Sequence, residues 1–147
     1  MPRAEASIEV FASQAHCLAL LCDVEAHQGL AREIQRITAI GDGRPPAEVR
    51  YDVTTTIAGQ RVTTSATFGM RLEGHTLHWL LQECALLTRG RASCRVQSTG
   101  EEDACELFAS VELETTLKVP VAVQETTLRE LLGRVMERFR DWLESQA

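Results

Sequence analysis

Apolar positions along the chain follow a strand period, then a helical period, then a long strand region, then a helix. Ile8 and Val10 alternate with polar neighbours, so residues 7–12 predict a short strand. Behind Ser13, Cys17, Leu18, Leu21 and Val24 recur at helical spacing. Ser13 suits an N-cap because its hydroxyl accepts from an otherwise unpaired N–H of the first turn. Gly29 offers a stop, and a second short helix is expected over 30–35.

From 36 to 118 the period becomes two. Residues 36–40 predict a brief strand, followed by a turn through Gly41-Asp42-Gly43 and Pro45-Pro46. Val49, Tyr51, Val53, Thr55 and Ile57 alternate with polar residues up to an Ala58-Gly59 turn. Val62, Thr64, Ala66, Phe68, Met70 and Leu72 continue the alternation to a Glu73-Gly74 turn, and Leu77, Trp79 and Leu81 carry a further strand. Gly90 and Thr99-Gly100 bracket a strand over 92–98, and Cys105, Leu107, Ala109, Val111 and Leu113 mark the last one. Sequential strands joined by tight glycine turns imply an antiparallel meander with one wet face.

Helical period returns at the C-terminus. Leu128, Leu132, Val135, Phe139 and Trp142 form one stripe, widened by Leu131, Met136 and Leu143, while Arg129, Glu130, Arg134, Glu137, Arg138, Asp141 and Glu144 take the opposite face. Thr127 with Glu130 fits a capping box, and Pro120 blocks helix upstream. The expected helix exceeds about 25 Å at 1.5 Å per residue, long enough to cross the sheet. A curved sheet must cover its apolar face, and this helix is the one element large enough. A bent sheet around a single helix leaves a gap, so the pattern predicts an internal pocket.

The 147 residues fit one domain, taken as 1–147. With 44% apolar and 24% charged residues the composition is globular. A formal net charge of −6, no basic run and 5% aromatic residues argue against nucleic acid or an anionic membrane as partner. The apolar stretch from Cys17 to Cys22 ends at Asp23, far short of the twenty or so residues of a spanning helix, so no stable membrane insertion is expected. Glu5 and Glu9 stand where a secretory signal would be basic and then apolar. Together with five cysteines, an odd number with no C-x-x-C, this predicts free thiols in the cytoplasm.

The segments that complete this order resemble the START and polyketide cyclase/dehydrase superfamily (SRPBCC). Residues 7–37, with Asp23-Val24-Glu25, resemble the opening strand and helix of those proteins. TLHWLLQE (76–83) resembles their fifth strand with its buried Trp, 88–114 their sixth and seventh strands, and 118–144 the proline-bearing entry to the final helix. Two positions depart from the pattern. Gln14-Ala15 stand where the family usually has proline or an acid, and Gly29-Leu30 where it often has Trp, a change that would widen the cavity mouth or alter ligand choice. The resemblance implies an α+β helix-grip fold: a curved antiparallel sheet of about seven strands around a long C-terminal helix, with two short helices after the first strand. The family includes lipid carriers, ubiquinone-binding proteins, aromatase/cyclases and hormone receptors, so the fold does not choose a function.

The inward rows supply the expected pocket wall: Tyr51, Val53, Thr55, Thr64, Phe68, Met70, Trp79, Leu81, Leu107 and Ala109, faced by Met136 and Phe139 from the helix. An apolar cavity with few polar groups is how small-molecule sites are built, although the same rows also describe a filled core. Thr55 and Thr64 stand where a dry core prefers Val, and a buried hydroxyl there needs a backbone carbonyl, a water or a ligand as partner. Glu83 shares the phase of Trp79 and Leu81. Facing inward it would be a candidate general acid or base; a strand end or bulge would release it to solvent. Tyr51, the other catalytic candidate, would orient a ligand carbonyl through its phenol or span core and rim. His27 falls at a cavity entrance or on the surface. His16, His27, His75 and His78 lack the spacing and partners of a metal set, so neither metal nor cofactor is expected. The expected function is binding of a polyketide, lipid or quinone-like molecule by a monomer or homodimer. A polyketide cyclase or dehydratase working in the same cavity is the alternative.

Overall fold

A computed structural model describes residues 1–41, 44–57 and 59–146, with the backbone alone for Ile57. The elements are β1 (Arg3–Val10), α1 (Gln14–Leu21), a 3-10 turn (Val24–His27), β2 (Ile34–Ile40), β3 (Ala47–Ile57), β4 (Gln60–Glu73), β5 (Thr76–Cys84), β6 (Leu87–Ser98), β7 (Cys105–Thr115) and α2 (Val121–Ser145). All seven strands form one curved antiparallel sheet in the order β1-β7-β6-β5-β4-β3-β2. Thus β2 to β7 are a meander, and β1 pairs with the last strand of the sheet. The helix-grip arrangement read from the sequence is the one observed.

Local chemistry accounts for most boundaries. The Ser13 hydroxyl accepts from the His16 N–H at 3.1 Å and starts α1. Gly74 and Gly100 turn the chain with φ of +62° and +92°, a region that disfavours residues with a Cβ. Asp42, Gly43 and Ala58, which belong to two of the expected turns, lie outside the described residues.

Four boundaries differ from expectation. β1 begins at Arg3, because its alternation continues upstream opposite Glu112 of β7. The second short helix is not at 30–35 but is the single 3-10 turn Val24–His27. Residues after it are drawn toward the sheet, where the Glu33 carbonyl accepts from Thr54 N–H of β3 at 2.7 Å. Gly90 does not bound a strand; it lies inside β6, buried against Leu81 and Leu113. Thr127 does not cap α2, which starts six residues earlier with Pro120 as its N-cap. Proline has no N–H to lose there and fits the mouth of a helix. The Thr127 hydroxyl instead donates to the Val123 carbonyl within the helix at 3.0 Å.

At 25 residues α2 is about 37 Å long. It packs chiefly along β1, with β7 beside it. One end of the interior is solid: Val10, Cys17, Val24, Val49, Met70, Leu77, Val96, Cys105 and Leu107 are buried in one cluster with Leu143 of α2. Farther along, α2 stands away from the middle strands. No helix among the described residues is long and apolar enough to cross a membrane.

Candidate functional site

The space between α2 and the middle strands is a cavity of about 300 Å³. Its sheet wall comes from Tyr51 (β3), Phe68 (β4), Trp79 (β5), Ala92 and Cys94 (β6), and Leu107, Ala109, Val111 and Leu113 (β7). Its helix wall is Leu128, Leu131, Leu132, Val135, Met136 and Phe139, the stripe whose 3.6 period is plain in the sequence. Leu21, His27, Leu30 and Ile34 close the third side from the segment between β1 and β3. Ser93 and Ser110 also reach the wall, but they stand on the alternate phase of the sheet and their hydroxyls pair with each other at 3.1 Å.

Of the residues expected in the pocket, Tyr51, Phe68, Trp79, Leu107, Ala109, Met136 and Phe139 line this cavity. Val53, Thr55, Thr64, Met70 and Leu81 do not. Val53, Thr55 and Thr64 lie toward the tip of the β3–β4 hairpin, and the Thr64 hydroxyl finds the Cys84 thiol at 3.6 Å. Met70, 2% exposed, belongs to the solid end of the core. Leu81 packs on the buried Gly90.

Glu83 is exposed on the other face of the sheet. Leu81 pairs with Phe68 and Glu83 with Thr67, so Gln82 is an extra residue in β5. Such a bulge reverses the alternation, and every later side chain changes face. The Gln82 side chain lies against Gly69, where an added Cβ would come within 2.7 Å of its Nε2.

Three ionisable groups line the cavity: Tyr51, His27 and Cys94. Trp79 Nε1–H donates to the Tyr51 hydroxyl at 3.1 Å. The two residues stand on β3 and β5 and meet across β4, whose Phe68 ring meets the Tyr51 ring edge-on at 5.7 Å and 77°. Burial pushes the phenol up to about 12, although the Trp79 N–H pulls the other way. Burial likewise pushes the Cys94 thiol up to about 12. His27 is buried; desolvation lowers its pKa against the opposing bonds to the Leu20 and Leu21 carbonyls, and its Nε2 lies 3.3 Å from the Leu20 carbonyl oxygen. Its ring meets Phe139 edge-on at 6.2 Å. At neutral pH all three are uncharged. Among the described residues no three His, Cys, Asp or Glu side chains gather as a metal site.

The rim beside Leu30 and Ile34 carries an ion pair between a buried carboxylate and exposed guanidinium groups. Glu33, 9% exposed, accepts from Arg134 of α2 at 2.7 Å and from Arg32 at 3.4 Å. Burial alone would raise the Glu33 pKa; the Arg134 guanidinium, the residue's own backbone N–H and, last, Arg32 together outweigh it and hold the carboxyl below its usual range. Arg138, one turn on, reaches the Leu30 carbonyl at 3.5 Å. These contacts tie the far side of α2 to the segment before β2.

No periodicity marks Ile34 as a wall residue; His27 and Leu30, which the sequence reading sets at a cavity entrance or mouth, stand in the wall with it. Ala92, Val111 and Leu113 were also missed, although their phase on β6 and β7 was available to find them.

No family model matches the chain, and no curated protein matches it. Solved structures do. A START superfamily protein from Mycobacterium smegmatis is 21% identical, with a TM-score of 0.82 over 99% of each chain. The Zhui aromatase/cyclase from a Streptomyces species is 13% identical with a TM-score of 0.73, covering 98% of this chain and 92% of that one. Norcoclaurine synthase from Thalictrum flavum, solved with dopamine and hydroxybenzaldehyde, is 14% identical with a TM-score of 0.70, covering 99% of this chain and 87% of that one. At these identities the likeness concerns the fold: the chain has the SRPBCC/START-like helix-grip fold.

Proposed function

We propose that this protein binds a lipophilic small molecule, of polyketide, lipid or quinone-like character, in the cavity between the sheet and α2. The observation that carries the reading is an interior of about 300 Å³ walled almost wholly by carbon. That is roughly ten times the ~30 Å³ share of a liquid water, and waters need two to four polar partners that this wall does not offer. A guest that fills this space buries its own apolar surface and that of the wall, and that burial drives the affinity.

The lining supports binding more than turnover. Glu83 is on the outer face, which leaves a cyclase or dehydratase reading without its carboxylate, and the remaining cavity groups are neutral. Residues 1–147 act on this reading as one domain, monomeric or homodimeric. The five unbridged thiols suit a reducing cytoplasm, where we place the protein.

The test is mass spectrometry of an organic extract of the purified protein, with thermal shifts against a panel of hydrophobic compounds. A co-purifying lipophile or a saturable stabilisation is expected. A clean extract together with no shift across the panel refutes the proposal.

A further inference from the structure

We infer that the cavity takes an uncharged ligand with one hydrogen-bond acceptor, a ketone, ester or quinone oxygen, which receives the free O–H of Tyr51. The inference rests on the binding function proposed above and specifies its ligand class.

Hydrogen-bond accounting carries it. The one N–H of the Trp79 indole is spent on the Tyr51 oxygen. That bond uses a lone pair of the phenol and leaves its proton, for which no acceptor exists among the described residues. A donor facing an apolar cavity is costly to leave unmet. It is also already aimed: the Phe68 ring holds the phenol ring from the side, and Trp79 fixes the oxygen across β4. A ligand acceptor therefore meets a donor whose orientation costs little further entropy. Trp79 is here a positioning residue; Tyr51 makes the contact.

Charge accounting argues against an ionised carboxylate inside the cavity. No Lys, Arg, Asp or Glu lines the cavity. Two guanidinium groups of α2, Arg134 and Arg138, bond Glu33 and the Leu30 carbonyl. An ionised carboxylate inside would be desolvated with no counter-charge. The phenol donates at any physiological pH, because burial keeps it protonated.

The experiment displaces a neutral fluorescent probe, N-phenylnaphthylamine, with undecanone, undecane and undecanoate at mildly alkaline pH. Wild-type protein is expected to hold the ketone about three- to tenfold more tightly than the alkane, the range of one neutral hydrogen bond. Undecanoate should bind about a hundredfold more weakly than the ketone, or not at all. Tyr51→Phe alone would free the Trp79 N–H to donate in the phenol's place, so the decisive variant is Tyr51→Phe/Trp79→Phe, which should erase the ketone preference. Trp79→Phe should reduce the preference in part, because the phenol keeps its proton and loses its aim. If undecane binds but ketone and alkane are equal, or Tyr51→Phe/Trp79→Phe keeps the preference that Trp79→Phe retains, or undecanoate matches the ketone, the inference is overturned while the carrier reading stands. If none of the three displaces the probe the inference is overturned, and if the probe too fails to bind the carrier reading falls with it.

Discussion

Replacing Ala92 by Leu separates a hollow interior from a filled one by the sign of the effect. Ala92 stands on the inner face of β6, opposite Trp79 of β5 and Val111 of β7. It is only half-buried although strands flank it on both sides, because its methyl faces the cavity. Leu adds three carbons. At about 0.8 kcal/mol for each buried methylene the gross gain is about 2.4 kcal/mol. Ordering a Leu side chain takes back about 0.5–1 kcal/mol, leaving a net near 1.5 kcal/mol. For a chain of this length that raises Tm by about 3–6 °C. Ala66 is the contrast. It is 5% exposed, on the same face of the sheet, and does not line the cavity. Ala66→Leu overpacks a filled site and should cost about 1–3 kcal/mol. Calorimetry and urea titration of both variants provide the measurement. Hydrophobic-probe binding should weaken in Ala92→Leu, since the new side chain takes space from the guest. If Ala92→Leu is destabilised as much as Ala66→Leu, the interior is full and the reasoning fails.

The other predictions concern the frame of the site. Arg134→Leu leaves the Glu33 carboxylate, 9% exposed, without its main partner and should cost about 1–3 kcal/mol by urea titration; a loss within error would show the pair to be superficial. In His27 the folded pKa is depressed, so the unfolded chain binds the proton more readily. Stability should therefore fall as pH drops below about 6.5, the imidazole's unperturbed value, and His27→Leu should flatten that part of the urea-midpoint profile. An unchanged slope in the variant would assign the titration to another group. Gly133, inside α2, has open space where a Cβ would stand, with no neighbouring atom within 4 Å, so Gly133→Ala should stabilise by about 0.5–1 kcal/mol. Gly90→Ala should destabilise by about 1–3 kcal/mol, because its methyl would come within 2.9 Å of Leu113 Cδ2 and 3.2 Å of Leu81 Cβ. Equal effects at the two glycines, measured by urea titration, would contradict the packing described.

Much of the scaffold was legible in the residue order because its causes are local. Alternation along β3 and β4, the Ser13 cap and the apolar stripe of α2 each follow from contacts within a few residues or from a face that must leave water. The start of α2 was misplaced because Val121 and Val123, exposed in its first turn, give no amphipathic signal. Glu83 shows where period alone fails. One extra residue, Gln82, moves it to the opposite face, and nothing in a count of apolar positions marks a bulge.

Residue order alone sets the identity of the faces: which side of each strand is apolar, which stripe of the helix seeks it, and that one must cover the other. How far apart those faces stand is a property of the folded chain. That distance separates Met70, packed solid, from Phe68 and Trp79, which face open space on the same side of the sheet. It also brings Trp79 to Tyr51 across an intervening strand and seats His27 against Phe139. Side-chain period is set by backbone geometry residue by residue, whereas the width of a cavity is set by the curvature of seven strands and the line along which one helix meets them.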